Sequence, residues 1–287
     1  MGAPLLAVDA PSMLFRAFYA LPSKIVGADG KPVNALLGTA NLVLREVEAH
    51  APRAVVLCFG PDAAHYRTEL YPAYHEGREE EMPDELAPQF AKSRDFFEAF
   101  GWTVASSEDL EADDLLGTYA RREAEAGGHA LLLTGDRDMY QCAAEGVTVL
   151  YVRTGGKGAE PVGPEEVRER YGIGPQLVPD FIALRGDPAD GLPGAKGVGP
   201  KTAAELLRRH GSLEAILDNA IREQRPKLRE ALIEGREELL AFKDIATLRD
   251  AGVERPPDAP TDWAAAAAAA RERGMNRLAE RLAAAAG

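Results

Sequence analysis

The chain has 287 residues, 46% hydrophobic and 28% charged, with a formal net charge of −13 at neutral pH. That length and balance are ordinary for a globular protein with one large domain, or a large one and a small one. They exclude a membrane-spanning helix, because the longest strictly apolar run, Ala264 to Ala270, is far short of the ~20 residues a bilayer requires.

The amino terminus, "MGAPLLAVDAPSMLFRAFYALP", has no basic leader and breaks its apolar run at Asp9, so no secretion signal is read and a cytoplasmic protein is expected. Cys58 and Cys142 are the two cysteines, which fits reduced core thiols and neither a disulfide framework nor a zinc site. The net charge argues against nucleic acid unless the acids are gathered in one place.

Apolar runs at 5–10, 54–59, 102–106, 130–136 and 147–152 alternate with helical periodicity at 33–50, 90–100 and 111–126. Alternation of this kind predicts an α/β fold with a mostly parallel sheet flanked by helices, over residues 1–160. The polar, aromatic-studded segment 62–92 is too long for an ordinary connection and is read as an arch; a floppy acidic insertion is the plainer alternative. From 161 to 287 the pattern is helical, with Pro164, Pro175 and Pro200 placed to open helices and Gly172, Gly186 and Gly211 placed to close them. The tail from Pro256 reads as a docked helix pair or a frayed end.

"EADDLLG", from Glu111, crowds three carboxylates into the start of a helix. Capping explains any one of them, since an acid in a first turn complements the helix dipole. It does not explain their company. Asp9 ends the first strand, Asp136 and Asp138 follow the fourth in "TGDRD", and Asp187 and Asp190 lie in the turn "RGDPAD". Parallel sheets place ligands beyond the carboxyl ends of their strands. Carboxylates converging there suit hard divalent cations, and a pair of such ions clamps the attacking and leaving oxygens of a phosphodiester.

A second motif, "LPGAKGVGPKTAAELLRRHG" at 192–211, nearly spells a nucleotide-binding loop. Pro200 interrupts it, and no strand precedes it, so ATP binding is not expected. A helix-hairpin-helix fits better. Gly194, Gly197 and Gly199 let the backbone approach phosphates, Pro200 opens a helix whose free N–H groups with Thr202 face an anion, and Lys196, Lys201 and Arg208 add positive charge. Contacts of that kind position duplex DNA without reading its bases.

The order "AVDAPSMLFRAF", "LEADDLLG", "LLLTGDRDMYQ" and "ALRGDPADGLPGAKGVGPKTA" resembles the bacterial 5′ nucleases, both the exonuclease domain of DNA polymerase I and the stand-alone flap endonucleases, over about Leu5 to Leu217. The resemblance implies a PIN-like core in which Asp9, Glu111, Asp113, Asp114, Asp136, Asp138, Asp187 and Asp190 surround two Mg²⁺ or Mn²⁺ ions. It further implies Arg16 on a DNA phosphate, K⁺ at the hairpin, and cleavage of DNA that carries a 5′ single strand or flap beside duplex. RNA primer 5′ ends are a further candidate substrate, and a monomer is expected.

Two departures stand out. Where the family usually has Asp after the second strand, this chain has Gly60, with Asp62 two residues on as a substitute ligand. Where the family's arch supplies a lysine, "YPAYHEGR" has His75, which leaves His75, Arg78 or Arg67 to clamp the phosphate. Gly191 and Ala10 likewise replace the more usual Asn and Gly. The alternative function is a junction-binding protein that cleaves poorly or not at all.

Overall fold

A computed structural model describes residues 2–76, 82–153 and 158–287. One six-stranded sheet contains β1 (Leu5–Asp9), β2 (Ala54–Phe59), β3 (Thr103–Ser106), β4 (Ala130–Thr134), β5 (Val147–Val152) and β6 (Ala159–Val162), in the order β3-β2-β1-β4-β5-β6. The first five run parallel, and β6 pairs antiparallel with β5. Each of the five expected strands is present. The sixth, "AEPV", was not expected from the sequence: it is short and carries Pro161, which a sheet tolerates at its edge.

Helices on both faces bury the central strands. In the first half these are α1 (Ala10–Ala20), α2 (Asn34–His50), α3 (His65–Leu70), α4 (Ala87–Glu98) and α5 (Ala112–Glu125). The second half contributes α6 (Pro164–Tyr171), α7 (Val178–Arg185), α8 (Pro200–His210), α9 (Leu213–Asp218), α10 (Pro226–Glu234) and α11 (Arg236–Ala246), followed by α12 (Trp263–Glu272) and α13 (Asn276–Ala285). Of the three prolines, Pro164 and Pro200 open helices, while Pro175 opens a single 3-10 turn. No helix among the described residues is long and apolar enough to cross a membrane.

Alternate strand residues divide the core in two. Leu5 and Ala7 of β1 face a cluster with α5, α7, α8 and α11, whereas Leu6 and Val8 face one with α1, α2, α4, α12 and α13. The last two helices therefore rejoin the α/β core and do not extend the α6–α11 portion. A segment without regular structure, residues 247–262, carries the chain across between them. Asp262 N donates to Phe100 O at 2.8 Å, and Trp102 Nε1 donates to Thr261 Oγ1 at 2.9 Å. On its way this strap passes Arg255, which reaches the buried Glu123 carboxylate on α5.

The strand order fixes where a ligand can sit. β1 connects outward to β2 on one side, while β4 adds on the other side, so the chain reverses direction between β1 and β4 and leaves a crevice at their carboxyl ends. Asp9 ends β1, and Asp136 and Asp138 follow β4. Both acidic groups thus flank that crevice.

Candidate active site

Asp9 is the N-cap of α1, and its two oxygens are separately engaged. Oδ1 accepts from Ser12 N at 3.0 Å, and Oδ2 accepts from the Thr134 hydroxyl at 2.8 Å. Thr134 Oγ1 in turn accepts from Asp136 N at 2.9 Å, and Asp136 Oδ1 accepts from Asp138 N at 2.8 Å. A single chain of hydrogen bonds therefore aligns the carboxylates of two strands. Arg16, on the next turn of α1, donates to Gly135 O at 2.9 Å and lies over that glycine, closing the same corner.

Asp113, near the start of α5, faces Asp9 and Asp136, and the loop after α7 brings Asp187 and Asp190 to Asp136 and Asp138. Burial, reinforced by these neighbouring negative charges, pushes Asp113 and Asp138 well above the usual carboxylate range. Asp136 is pushed up to about 6, with burial the largest cause; the Asp138 N–H opposes it, and Asp190, Asp9 and Asp187 add to it. Asp9 is raised by burial against the pull of its own hydrogen bonds. Asp187 is oriented locally, its Oδ2 accepting from Arg185 at 2.9 Å and its Oδ1 from Ala189 N at 2.9 Å.

These acids line or border a cleft of about 660 Å³ that also exposes Phe15, Tyr19, Met82 and Phe90. Among the described residues no three His, Cys, Asp or Glu side chains are drawn together closely enough to hold a metal ion as they stand. Oxygen donors arranged this loosely suit a hard cation that keeps several of its waters, as Mg²⁺ does, and the upward shifts of Asp113, Asp136 and Asp138 show negative charge that a divalent ion would offset. The donor set therefore fits Mg²⁺ or Mn²⁺.

Several expected residues are already engaged by protein partners at the cleft wall or behind it. Asp114 has no solvent exposure; it accepts from Arg249 N at 2.7 Å and Glu111 N at 3.2 Å, and both of its oxygens lie 3.3 Å from Arg67. Arg67, expected on the DNA side, is buried between Asp114 and Glu111. Glu111 is itself occupied, pairing with Arg67 and accepting from Ala64 N at 2.8 Å. Asp62 lines the cleft with its side chain 77% exposed, 3.4 Å from His75 Nδ1. His75 bridges across to Asp190 at 3.4 Å and stacks on Tyr74 with 4.1 Å between ring centroids. Arg78 lies outside the described residues.

Gly60 has a steric reason. A Cβ there would lie 2.4 Å from Leu110 O and 2.7 Å from Ala112 N, so the backbone entering α5 occupies the space that a side chain would need. Gly191, at φ +74°, is similarly pressed against Ala73 O, and His75 N donates to Asp190 O at 3.1 Å, so the turn after α3 rests on the Asp187–Asp190 loop. The arch tyrosines serve packing: Tyr74 is buried, Tyr71 packs edge-on against Phe242, and Tyr66 lies under the Arg249 guanidinium.

The glycine hairpin leads into α8. Gly194 packs on Gly186, while Gly197, at φ +77°, and Gly199 have open space before them, beside the exposed Lys196 and Lys201. Gly199 caps α8 without a side chain and Pro200 opens the helix, leaving its first N–H groups, near the half-buried Thr202, facing outward. Arg208 does not join this group. It lies two turns further along α8 and donates to Gly172 O at 3.2 Å, at the end of α6.

Sequence reasoning missed Thr134 and Arg249. A Thr beside "GD" was the one signal that spacing offered for either of them.

A doubly wound sheet with a carboxylate-rich cleft at its reversal point and a basic glycine hairpin after it defines a class of hard-metal α/β proteins. The chain belongs to the 5′-3′ exonuclease family: residues 4–172 match its N-terminal resolvase-like domain and residues 173–264 its C-terminal SAM fold. It is 36% identical to a 5′-3′ exonuclease of Streptomyces coelicolor over 96% of this chain and 97% of that protein. It is 38% identical to DNA polymerase I of Mycobacterium tuberculosis over 88% of this chain, where it spans 28% of the relative's length. Among solved structures, the bacteriophage T5 flap endonuclease in a product complex with DNA and metal ions shares the fold, with a TM-score of 0.69 at 19% identity over 99% of each chain.

Proposed function

We propose that the chain is a structure-specific 5′ nuclease that hydrolyses DNA phosphodiesters near single-strand to duplex junctions. One observation carries the reading: carboxylates from four separate segments meet at the sheet's reversal point, in a family whose relatives are exonucleases. When bound, a pair of Mg²⁺ or Mn²⁺ ions supplies Lewis-acid stabilisation of the phosphodiester oxygens and lowers the pKa of the attacking water.

In this reading Asp9, Asp113, Asp136, Asp138, Asp187 and Asp190 hold the ions, with Thr134 keeping Asp9 and Asp136 in register. Arg16, held at Gly135, and His75, on the cleft wall, orient the scissile phosphate. Phe15 and Tyr19 offer apolar surface to the bases beside it. The hairpin N–H groups, Lys196 and Lys201 take the phosphates of the duplex, and the hairpin would hold K⁺, whose charge would help neutralise them. The T5 neighbour, solved with DNA and metal, supports DNA as the partner. RNA primer 5′ ends, a monomeric state and a cytoplasmic location belong to the same reading.

The test is end-labelled 5′-flap DNA incubated with Mg²⁺ or Mn²⁺, comparing the wild type with Asp136→Ala. Metal-dependent cutting at the junction that disappears in the variant is expected. Tight junction binding without cutting by either protein would leave the non-catalytic alternative standing.

A further inference from the structure

Two of the acids in "EADD" share one cation. Arg67 of α3 has its side chain 4% exposed, with one terminal nitrogen paired to Glu111 and the other 3.3 Å from both Asp114 oxygens. Its Nε is buried without a hydrogen-bond partner among the described residues, so charge more than a complete hydrogen-bond set holds the guanidinium in place. Glu111 lines the cleft, but Arg67 covers Oε2, while Oε1 accepts from Ala64 N at 2.8 Å and lies 3.4 Å from the Tyr74 hydroxyl. Asp114 does not line the cleft. Its oxygens are taken by the backbone N–H groups of Arg249 and Glu111, and by Arg67.

We propose that Arg67 is a resident cation competing with the metal for Glu111, and that Asp114 is not a metal ligand but the positioning residue that shares Arg67 and so loosens its hold. The proposal rests on the divalent-metal reading of the cleft. With Asp114 charged, Glu111 can exchange Arg67 for a divalent ion while the guanidinium keeps a buried counter-charge. Without that charge, the same exchange strands an unpaired buried guanidinium, which is strongly unfavourable. Glu111 is then withheld from the metal.

Arg249 completes the node. It donates its N–H to Asp114, and its guanidinium lies 3.4 Å from the centroid of Tyr66, the residue before Arg67. The strap therefore pins α3 and the start of α5 together.

The experiment is Mn²⁺ binding to the whole chain without DNA, read by the electron paramagnetic resonance signal of free Mn²⁺. Wild type, Arg67→Met, Asp114→Asn and the double variant are compared. Arg67→Met should bind more tightly than wild type. Asp114→Asn should bind about tenfold more weakly, the range for partners behind a ligand. The double variant should return to the Arg67→Met level.

A double variant as weak as Asp114→Asn would make Asp114 a ligand and overturn the proposal, as would Arg67→Met with unchanged affinity. If Asp114→Asn does not fold, Arg67→Lys against Arg67→Met decides: lysine keeps the charge and should stay near wild type, and equal affinities would overturn the competition. A wild type that binds no Mn²⁺ would overturn the metal reading itself, a result distinct from the others.

Discussion

The Thr134 hydroxyl stands 2.8 Å from Asp9 Oδ2 and 2.9 Å from Asp136 N, donating to the first and accepting from the second. One small side chain thereby sets the spacing of two acids that are 127 positions apart in the chain but flank the same crevice.

Thr134→Val keeps the shape of that side chain and removes both hydrogen bonds. The variant should lose about 1.5–3 kcal/mol of stability, the range for a hydrogen bond to a charged group, as measured by urea unfolding. Its divalent-metal affinity should fall about 10-fold or more because Asp9 is no longer oriented, as measured by titration with Mn²⁺.

Placing an acid directly after the second strand, where the family resemblance leads one to expect it, should not help this chain. Gly60→Asp puts a Cβ 2.4 Å from Leu110 O, and the backbone leading into α5 has to shift. Overpacking of this kind costs about 1–3 kcal/mol, visible as a lowered Tm. Because Glu111 sits in the displaced segment, flap cleavage should fall and not rise.

Glu123 on α5 has a buried side chain between Arg53 and Arg255. Burial alone would raise its carboxyl, but the hydrogen bonds from the two arginines outweigh burial and hold it below the usual value. A carboxyl lowered on folding stabilises fully above its unfolded pKa, about 4.3, and the contribution is lost as pH falls through the lower folded value. In urea unfolding from pH 7 to pH 3, wild type should lose more stability than Glu123→Gln, and the gap between them should narrow only below about pH 4.

Lys201, exposed in the first turn of α8, should act through phosphate charge alone. Lys201→Ala should weaken junction binding equally across sequences and reduce the slope of log K against log salt by about 1. Fluorescence anisotropy at several salt concentrations measures both. A sequence-dependent loss would place Lys201 on base edges.

The five parallel strands could be read from the chain because strands buried on both faces are nearly continuous apolar runs, as "LLAVD" and "ALLLT" are. β6 could not, since an edge strand of four residues with a proline has no such run. Asp9, Asp136 and Asp138 were legible because strand ends in a parallel sheet point to one place. The capture of Asp114 by the protein's own groups was not, because it depends on Arg249, 135 residues further along, whose N–H donates to that carboxylate. The fit of Gly60 depends in the same way on the approach of Leu110 and Ala112, and the position of Arg208 on the end of α6. Local pattern records what each residue is suited to; these three outcomes were decided by neighbours far off in sequence.

The docking of α12 and α13 onto the sheet face shared with α2 and α4 has a consequence for biosynthesis. Phe96, Phe97, Phe100 and Trp102 pack with Ala266, Ala270, Met275 and Leu278, which are synthesised after the whole sheet. Every strand and all four groups of acids have emerged before that apolar face gains its cover. A chain that has emerged only as far as the strap therefore holds a nearly complete sheet with one apolar face bare until α12 and α13 dock.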